Sequence, residues 1–370
     1  MCEKSFFFAG GGTGGHIYPA VAVAEQIAKI KPEAKIHFIC SNRNIDKQIL
    51  EKTDFEFTRL TAVGFSAHPG KLIDFCKSFF TSYKTAKKII AESKNAMVIG
   101  AGGFVSAPVC LAAHKCKVPI GLLNVDIVPG RANKIISRWA DEIFIQFEET
   151  AQYFARRSKN VTVVGCPLRS GFENPQPNKV IEQLGLDKDK KTLLITGASS
   201  GSQNINRAVC SLLEKLDTFA DDWQIVHLAG VNNYEMVNSE YNNAKISNIV
   251  LGYFDDMANL LAAADLVIGR SGAVSVAEFA ASETPSICMP YPYHKDKHQY
   301  LNAGKLVEVG AAVIVDDLPD EKDRSEWLWE ELEELMKDNE KRQEMKKNCR
   351  TIANKKAAQE IAQKMIEICG

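Results

Sequence analysis

The chain has 370 residues, 45% of them hydrophobic and 25% charged, and its formal net charge is −1 at pH 7. This composition is typical of a globular protein, and the length predicts two domains of roughly 150 to 200 residues. A chain so close to neutrality has no general attraction for nucleic acid, so we expect no nucleic-acid partner. The ten scattered cysteines indicate a reducing cytosol. We find no signal peptide and no apolar run near the roughly 18 residues that span a bilayer.

The N-terminal region begins with a predicted strand at residues 5–9, a glycine-rich loop at residues 10–16 and a helix. The loop matches GxGxxG through Gly10, Gly12 and Gly15, so a dinucleotide site must be considered. The strand after the helix ends without the acidic residue that binds an NAD ribose, whereas Arg43 is compatible with NADP. The loop therefore predicts phosphate recognition without identifying the phosphate.

His16 stands where this helix begins. The positive end of the helix dipole disfavours an imidazolium ion there, which suits a neutral base. A histidine that only caps the turn is the alternative.

The segment from Lys71 to Lys88 combines an apolar and aromatic face with a rim of lysines. Its apolar residues are Leu72, Ile73, Phe75, Phe79 and Phe80, and its lysines are Lys71, Lys77, Lys84, Lys87 and Lys88. An interfacial helix at an anionic membrane needs this pattern. The alternative is a core-facing helix with a solvated lysine face.

Strands and helices alternate along both halves of the chain, which predicts doubly wound parallel sheets. A second glycine loop occupies residues 100–108, and a stretch rich in proline and asparagine at residues 174–178 indicates a domain boundary. The second half starts again with a strand, a glycine loop at residues 197–201 and a helix. The last fifty residues are charged and helical, and are long enough to cross back onto the first domain.

A strand–helix–strand unit at residues 265–289 organises the second half. Its first loop offers backbone N–H groups at a helix N-terminus, which suits phosphate. Glu278, one turn into the helix, can accept hydrogen bonds from both hydroxyls of a ribose. The alternative is a capping box in which Ser275 begins the helix and Glu278 satisfies a backbone N–H. A second loop, residues 291–299, ends in Asp296, His298 and Gln299, which can hold the hydroxyls of a sugar.

These motifs, in this order, resemble the peptidoglycan N-acetylglucosaminyltransferases of glycosyltransferase family 28. The resemblance covers nearly the whole chain and is carried by residues 10–16, 100–108, 129–133, 165–169, 197–201, 254–257, 270–278 and 294–303. It implies the α/β fold called GT-B, with two Rossmann-like doubly wound domains facing across a cleft. Residues 1–165 would form the acceptor and membrane domain, with a C-terminal helix at about 351–370 packed back on it. Residues 166–350 would bind the UDP-sugar.

The resemblance also implies the reaction, an inverting transfer of GlcNAc from UDP-GlcNAc to the muramyl 4-hydroxyl of lipid I, giving lipid II. The acceptor is a polyprenyl-diphosphate-linked muramyl pentapeptide, and the protein would sit peripherally on the cytoplasmic face of the membrane. UDP-GlcNAc is a substrate and no cofactor is expected. We find no clustered DxD motif beside the glycine loops and therefore expect no catalytic metal.

Site residues follow from the matching positions. The residues implied to bind substrate are Thr13, Gly14, Gly15, Asp126, Arg169, Ser199, Phe254, Ala273, Val274, Ser275, Val276, Ala277, Glu278 and Gln299. The glycine loops at residues 12–15 and 102–106 would meet the acceptor diphosphate. A general base is needed for the hydroxyl proton, and His16 is our first candidate and Asp126 the second.

Two departures from the family pattern stand out. Residues 123–126 read Leu-Asn-Val-Asp where the family typically has His-Glu-Gln-Asn, so an amide that donates becomes an acid at Asp126. Residues 197–202 read Gly-Ala-Ser-Ser-Gly-Ser where Gly-Gly-Ser-Gln-Gly-Ala is typical, which keeps the serine and the flanking glycines. Three alternatives stay open: a related glycosyltransferase acting on another membrane lipid, a dinucleotide-dependent oxidoreductase, and an inactive membrane-docked partner subunit.

Overall fold

The computed structural model describes residues 4–64, 68–154, 160–198 and 201–370. The chain divides into two compact units, one formed by residues 1–170 and 354–370 and the other by residues 171–353. Within the described residues, each unit is built on one parallel sheet with helices between successive strands. The predicted fold class, two doubly wound α/β domains of Rossmann type, is confirmed.

The first unit contains a seven-stranded sheet in the order β3-β2-β1-β4-β5-β6-β7 within the described residues. Its strands β1 to β7 are Lys4–Gly10, Lys35–Ser41, Glu56–Leu60, Asn95–Gly102, Ile120–Asn124, Glu142–Ile145 and Val161–Val163. Its helices α1 to α5 are Gly14–Ile30, Asn44–Leu50, Pro69–Ala91, Ser106–Lys115 and Arg131–Ile136. The central strands are nearly continuous apolar runs because helices cover both faces of the sheet.

The second unit contains a six-stranded sheet in the order β10-β9-β8-β11-β12-β13 within the described residues. Its strands β8 to β13 are Lys191–Thr196, Trp223–Leu228, Ser247–Leu251, Leu266–Gly269, Ser286–Cys288 and Ala312–Ile314. Its helices α6 to α14 are Pro177–Leu184, Gln203–Cys210, Leu213–Leu216, Tyr234–Glu240, Met257–Ala263, Ala273–Ala281, His298–Glu308, Glu321–Lys337 and Asn339–Ile352.

The last helix, α15 (Ala357–Ile368), belongs to the first unit. Its buried residues Ile361, Ala362 and Met365 share one core cluster with Ile17 and Val21 of α1. Alanines at every second position of α1 from residue 20 to residue 24 are buried, and such small side chains allow close helix packing. No helix in the described ranges combines the length and the hydropathy needed to cross a membrane.

Candidate active site

Sheet order identifies the edge where a ligand binds in each unit. In doubly wound sheets, ligands bind at the carboxyl ends of the strands where the strand order reverses. That point lies between β1 and β4 in the first unit and between β8 and β11 in the second. The glycine loops predicted from the sequence, at residues 10–16 and 102–106 and at residues 197–201 and 270–273, directly follow these four strands.

A buried carboxylate anchors the first glycine loop. Asp46 is fully buried, and both of its carboxylate oxygens accept from the Gly12 N–H at 2.9 Å. The Ser41 N–H and hydroxyl also donate to Asp46 Oδ2, at 3.1 and 2.5 Å. A Cβ on Gly11 would lie 2.3 Å from Asp46 Oδ2, so glycine is required there. The Gly12 N–H is therefore committed to Asp46, which leaves residues 13–15, at the start of α1, as the part of this loop to which the phosphate prediction applies.

Arg43 is also committed to this loop. Its Nη1 donates to the Gly12 carbonyl at 2.8 Å, and its guanidinium lies over the Phe104 ring with 5.4 Å to the centroid. The sequence alone makes Arg43 compatible with binding an NADP phosphate. Its contacts instead explain it as a brace between the two glycine loops of the first unit.

His16 lies inside the first turn of α1, because the helix begins at Gly14, earlier than the sequence predicted. Its Nδ1 is 3.1 Å from the Gly11 carbonyl and 3.3 Å from the Thr13 hydroxyl. Since a carbonyl only accepts, the Gly11 contact places the proton on Nδ1 and leaves the lone pair on Nε2. Burial lowers the pKa of His16, and the negative charges of Asp126 and Asp46 partly oppose that shift. A neutral imidazole with a bare Nε2 is the form that a general base requires.

The two candidate bases interact electrostatically, because the negative charge of Asp126 raises the pKa of His16 against the lowering caused by burial. Asp126 is half-buried in the loop after β5. Asn124 holds that loop by donating from Nδ2 to the Asp126 carbonyl at 2.7 Å. Asn124 Oδ1 in turn accepts from Asn133 Nδ2 at 2.9 Å, which ties the loop to α5. The departure from the family pattern at residues 123–126 thus leaves a loop held by hydrogen bonds, with a carboxylate whose charge raises the pKa of His16.

The second glycine loop packs directly on the first. A Cβ on Gly102, where φ is +97°, would lie 2.8 Å from His16 Cδ2. A Cβ on Gly103, where φ is +79°, would lie 2.2 Å from the Gly11 carbonyl oxygen. Ser106 is fully buried, and its hydroxyl lies 2.6 Å from the carbonyls of Ala9 and Gly102. The Ser106 side chain therefore has a structural role at the start of α4.

The helix that carries Glu278 begins at Ala273, with Gly272 as N-cap and no side-chain capping bond. The capping-box alternative is therefore wrong, because Ser275 lies inside the helix and Glu278 in its second turn. Ala273 and Val276 are buried, whereas Val274, Ser275, Ala277 and Glu278 are half-exposed. The first-turn N–H groups have no partner four residues earlier in the helix, which is the arrangement that binds phosphate.

Arg270 joins the loops of the second unit, and its role was missed from the sequence. Its Nη1 donates to the carbonyls of Met289 and Pro290 at 2.8 and 3.2 Å. Its Nη2 donates to Ser202 Oγ at 2.8 Å and to Asp317 Oδ2 at 2.7 Å. Arg324 Nε lies 2.8 Å from the other oxygen of Asp317, which is fully buried as a side chain. The sequence places Arg270 in a loop that is predicted to bind phosphate. The structure pairs it instead with Asp317, which lies 47 residues later in the chain.

The other predicted contacts are distributed over both units. Arg169, which belongs to the first unit, places its guanidinium 4.4 Å from the centroid of the Tyr18 ring. Gln299 lies in the first turn of α12, where its Oε1 accepts from the Tyr291 N–H at 2.9 Å. Phe254 is half-buried in the loop before α10. Ser199 lies outside the described residues.

One group of side chains in the described part of the chain has the composition and spacing of a metal site. It consists of His294, Asp296 and His298, in the loop between β12 and α12. It lies in the second unit, in the segment that also carries Gln299.

Two family models match the chain. The model described as the glycosyltransferase family 28 N-terminal domain matches residues 6–145, and that described as the C-terminal domain matches residues 192–365. Two curated relatives, from Acetivibrio thermocellus and Caldicellulosiruptor saccharolyticus, are 34% and 36% identical to the chain. The alignments cover 95% and 97% of the chain and 95% and 96% of the relatives. Both relatives are named UDP-N-acetylglucosamine--N-acetylmuramyl-(pentapeptide) pyrophosphoryl-undecaprenol N-acetylglucosamine transferase.

Solved structures share the fold. The crystal structure of Acinetobacter baumannii MurG has a TM-score of 0.70 at 23% identity, covering 99% of this chain and 100% of that one. A UDP-GlcNAc 2-epimerase from Neisseria meningitidis, solved with UDP-GlcNAc bound, has a TM-score of 0.69 at 14% identity, with coverage of 99% and 100%. At these identities the likeness establishes the architecture alone.

Proposed function

Because the chain belongs to glycosyltransferase family 28, we propose that it transfers N-acetylglucosamine from UDP-GlcNAc to the muramyl 4-hydroxyl of lipid I. The product is lipid II of peptidoglycan synthesis. The name shared by relatives that align over nearly the full chain supports this substrate pair. The observation that carries the chemistry is the imidazole of His16, neutral and with its Nδ1 proton directed to Gly11.

The transfer proceeds by inversion. Nε2 of His16 takes the proton of the acceptor hydroxyl as the hydroxyl oxygen attacks the anomeric carbon of GlcNAc. The bond from that carbon to the diphosphate breaks, and UDP leaves with the bonding electrons. The Asp126 carboxylate stabilises the imidazolium that forms, since its charge favours the protonated ring. His16 then gives its proton to water.

The leaving diphosphate needs compensating positive charge, and the backbone provides part of it. The N-terminus of α11 presents the N–H groups of residues 273–275, and Arg169 adds a cation that Tyr18 orients. Donor contacts are assigned to Thr13, Gly14, Gly15, Arg169, Ser199, Phe254, Ala273, Val274, Ser275, Val276, Ala277, Glu278 and Gln299. We expect no cofactor and no catalytic metal. The proposed acceptor domain is residues 1–165 with 351–370 and the proposed donor domain residues 166–350, limits that lie within five residues of those of the two compact units.

Helix α3 is assigned to an anionic membrane surface at the cytoplasmic face. Ile73 and Phe80 are 58% and 63% exposed, and Leu72 is also exposed. The five lysines of the segment are exposed too. Phe79 differs, because it packs against the core of the first unit. A vesicle-binding test therefore uses Ile73→Ser with Phe80→Ser, and a loss of binding to anionic vesicles without unfolding is expected. Unchanged binding would remove the helix from the proposal.

The function is tested by incubating the purified protein with UDP-GlcNAc and a panel of acceptors. Lipid I is expected to accept the sugar, and diacylglycerol is expected not to. Turnover on diacylglycerol alone would reassign the enzyme to another membrane lipid, and tight binding of NADPH would point to an oxidoreductase. An absence of turnover with every lipid, in protein that binds UDP, would favour an inactive partner subunit.

A further inference from the structure

Three metal-binding side chains meet in the loop between β12 and α12. His294, Asp296 and His298 each offer one ligand atom, and these three atoms lie within 4.8 Å of one another. His298 Nδ1 is 2.7 Å from Asp296 Oδ1, and the two imidazole rings lie 4.3 Å apart between centroids. The His298–Asp296 pair and the second imidazole, which also contacts the Tyr291 ring with 4.9 Å between centroids, thus form one cluster.

The backbone itself brings the three residues together. The Lys297 N–H donates to the His294 carbonyl at 3.0 Å, which closes a turn around Asp296. Lys297 then adopts a left-handed conformation, with φ 48° and ψ 28°, and α12 begins at His298. Such a conformation is unfavourable for a residue with a Cβ and persists where the surrounding structure imposes it.

Both ends of this loop are fixed. Gln299 Oε1 accepts from the Tyr291 N–H at 2.9 Å, and the Gln299 carbonyl accepts from Ser271 Oγ at 2.9 Å. The intervening ligands thus lie on a short loop with anchored ends, which reduces the entropy that a metal must overcome to order them.

We propose that His294, Asp296 and His298 form a site for a divalent transition-metal ion, zinc in the first instance. Ligands about 2.0–2.2 Å from a tetrahedral zinc ion lie about 3.4 Å apart, which a small rotation of these side chains achieves. His294 and Asp296 are exposed, so the ion has access from solvent, and a fourth position stays open to water. Imidazole ligands favour zinc, nickel and cobalt over magnesium and calcium, which prefer oxygen.

One neighbouring cation is held against an aromatic ring. Lys297, which stands between two of the ligands, directs its ammonium group over the Tyr300 ring, 6.0 Å from the centroid. The ion is assigned to stabilising the loop and takes no step in sugar transfer. The inference goes beyond the proposed function and does not depend on it.

Calorimetric titration of zinc chloride into chelator-treated protein, purified without a histidine tag, tests the site. One equivalent is expected to bind, and His294→Gln and His298→Gln are each expected to weaken binding at least tenfold. His68→Gln is the matched control, since it removes an exposed histidine from the other unit and is expected to leave the affinity unchanged. Cobalt is expected to bind with the visible absorption of a protein-bound ion, and magnesium is expected not to compete.

Three results would overturn the proposal. They are the absence of stoichiometric zinc binding, zinc binding by both histidine variants with the affinity of the wild-type protein, and full competition by magnesium. Asp296→Asn gives a second route that keeps the size of the side chain while weakening the ligand. Thermal melts without metal confirm that each variant is folded. Zinc binding and sugar transfer are separate measurements. A negative result for the zinc site therefore leaves the proposed transferase activity untouched, and a negative result for sugar transfer leaves the zinc site untouched.

Discussion

The two units anchor loops at the carboxyl ends of their strands with opposite charges. In the first unit, the carboxylate of Asp46 binds the N–H of the glycine loop. In the second, the guanidinium of Arg270 binds the carbonyls that follow β12. The first loop therefore lies beside negative charge, which partly opposes the lowering of the His16 pKa by burial. The second lies beside one carboxylate, Asp317, held between two guanidinium groups, which suits an anionic donor.

The largest expected effect separates the base from the donor site. His16→Ala should lower kcat by about 10²–10⁴-fold, because proton transfer occurs only in the transition state. UDP affinity should stay unchanged in calorimetry, since the first unit's imidazole is assigned to the acceptor. A variant with normal kcat and a raised acceptor KM would make His16 a binding residue. A less stable but fully active variant would reduce it to a helix cap.

Arg270→Met tests the anchor of the second unit. Removing one partner of a buried ion pair costs about 3–5 kcal/mol, and here it also leaves the carbonyls of Met289 and Pro290 without their donor. Urea unfolding should show that loss. Arg207→Met is the control, because the Arg207 side chain is 52% exposed and its Nη1 lies 4.0 Å from Glu321 Oε2, which is a weak ion pair. Equal stability of the two variants would mean that Arg270 does not anchor these loops.

Glu278→Ala should weaken UDP binding by about 1.5–3 kcal/mol for each charge-assisted hydrogen bond lost to the ribose. The helix itself should be little affected, since Glu278 lies in the second turn of a helix that begins at Ala273. Glu308→Ala, at the exposed end of α12, is the control and should bind UDP normally. Unchanged UDP affinity in Glu278→Ala would end the ribose assignment.

Much of this comparison is predictable from the sequence, and the reasons are local. Apolar runs that end in glycine predict the strands and the loops after them, because periodicity and turn chemistry act over a few residues. The strand Glu56–Leu60 was not predicted, since it lies at the edge of its sheet and mixes charged with apolar residues. The single helix predicted after the loop at residues 197–201 is divided into α7 and α8.

The anchoring interactions of Asp46 and Arg270 could not be predicted from sequence patterns, because each joins residues that are distant in the chain. Asp46 binds a residue 34 positions earlier, and Asp317 binds one 47 positions earlier. From the sequence alone, either aspartate is expected to be an ordinary surface residue, and only the fold shows that both are buried. The assignments of individual donor contacts, including Ser199, stay predictions.

Asp126→Asn tests whether the Asp126 charge sets the pKa of His16 in the first unit. The Asp126 charge raises the pKa of His16 against the lowering caused by burial, so its removal should lower that pKa further. Activity falls as the pH drops through the pKa of the base, so the acid limb of kcat/KM should move to lower pH. A dead Asp126→Asn beside an active His16→Ala would move the base to Asp126.

The smallest expected effect concerns the glycine loop of the second unit. Ala198 has φ +60°, where the family pattern has glycine. A left-handed conformation costs a residue with a Cβ about 1–2 kcal/mol, and glycine gives part of this back through the entropy of the unfolded chain. Ala198→Gly should therefore raise the free energy of unfolding by about 1 kcal/mol or less in urea titrations. A destabilised variant would mean that the alanine methyl group contributes packing that outweighs the strain.

Analysis of the product tests the central claim most directly. The wild-type protein is incubated with lipid I and UDP-GlcNAc labelled in the sugar, and the linkage in the lipid product is determined. The account predicts one labelled N-acetylglucosamine joined to the muramyl 4-hydroxyl with inverted anomeric configuration, and UDP in equal amount. A retained configuration, a different hydroxyl or UDP release without a labelled lipid would contradict it.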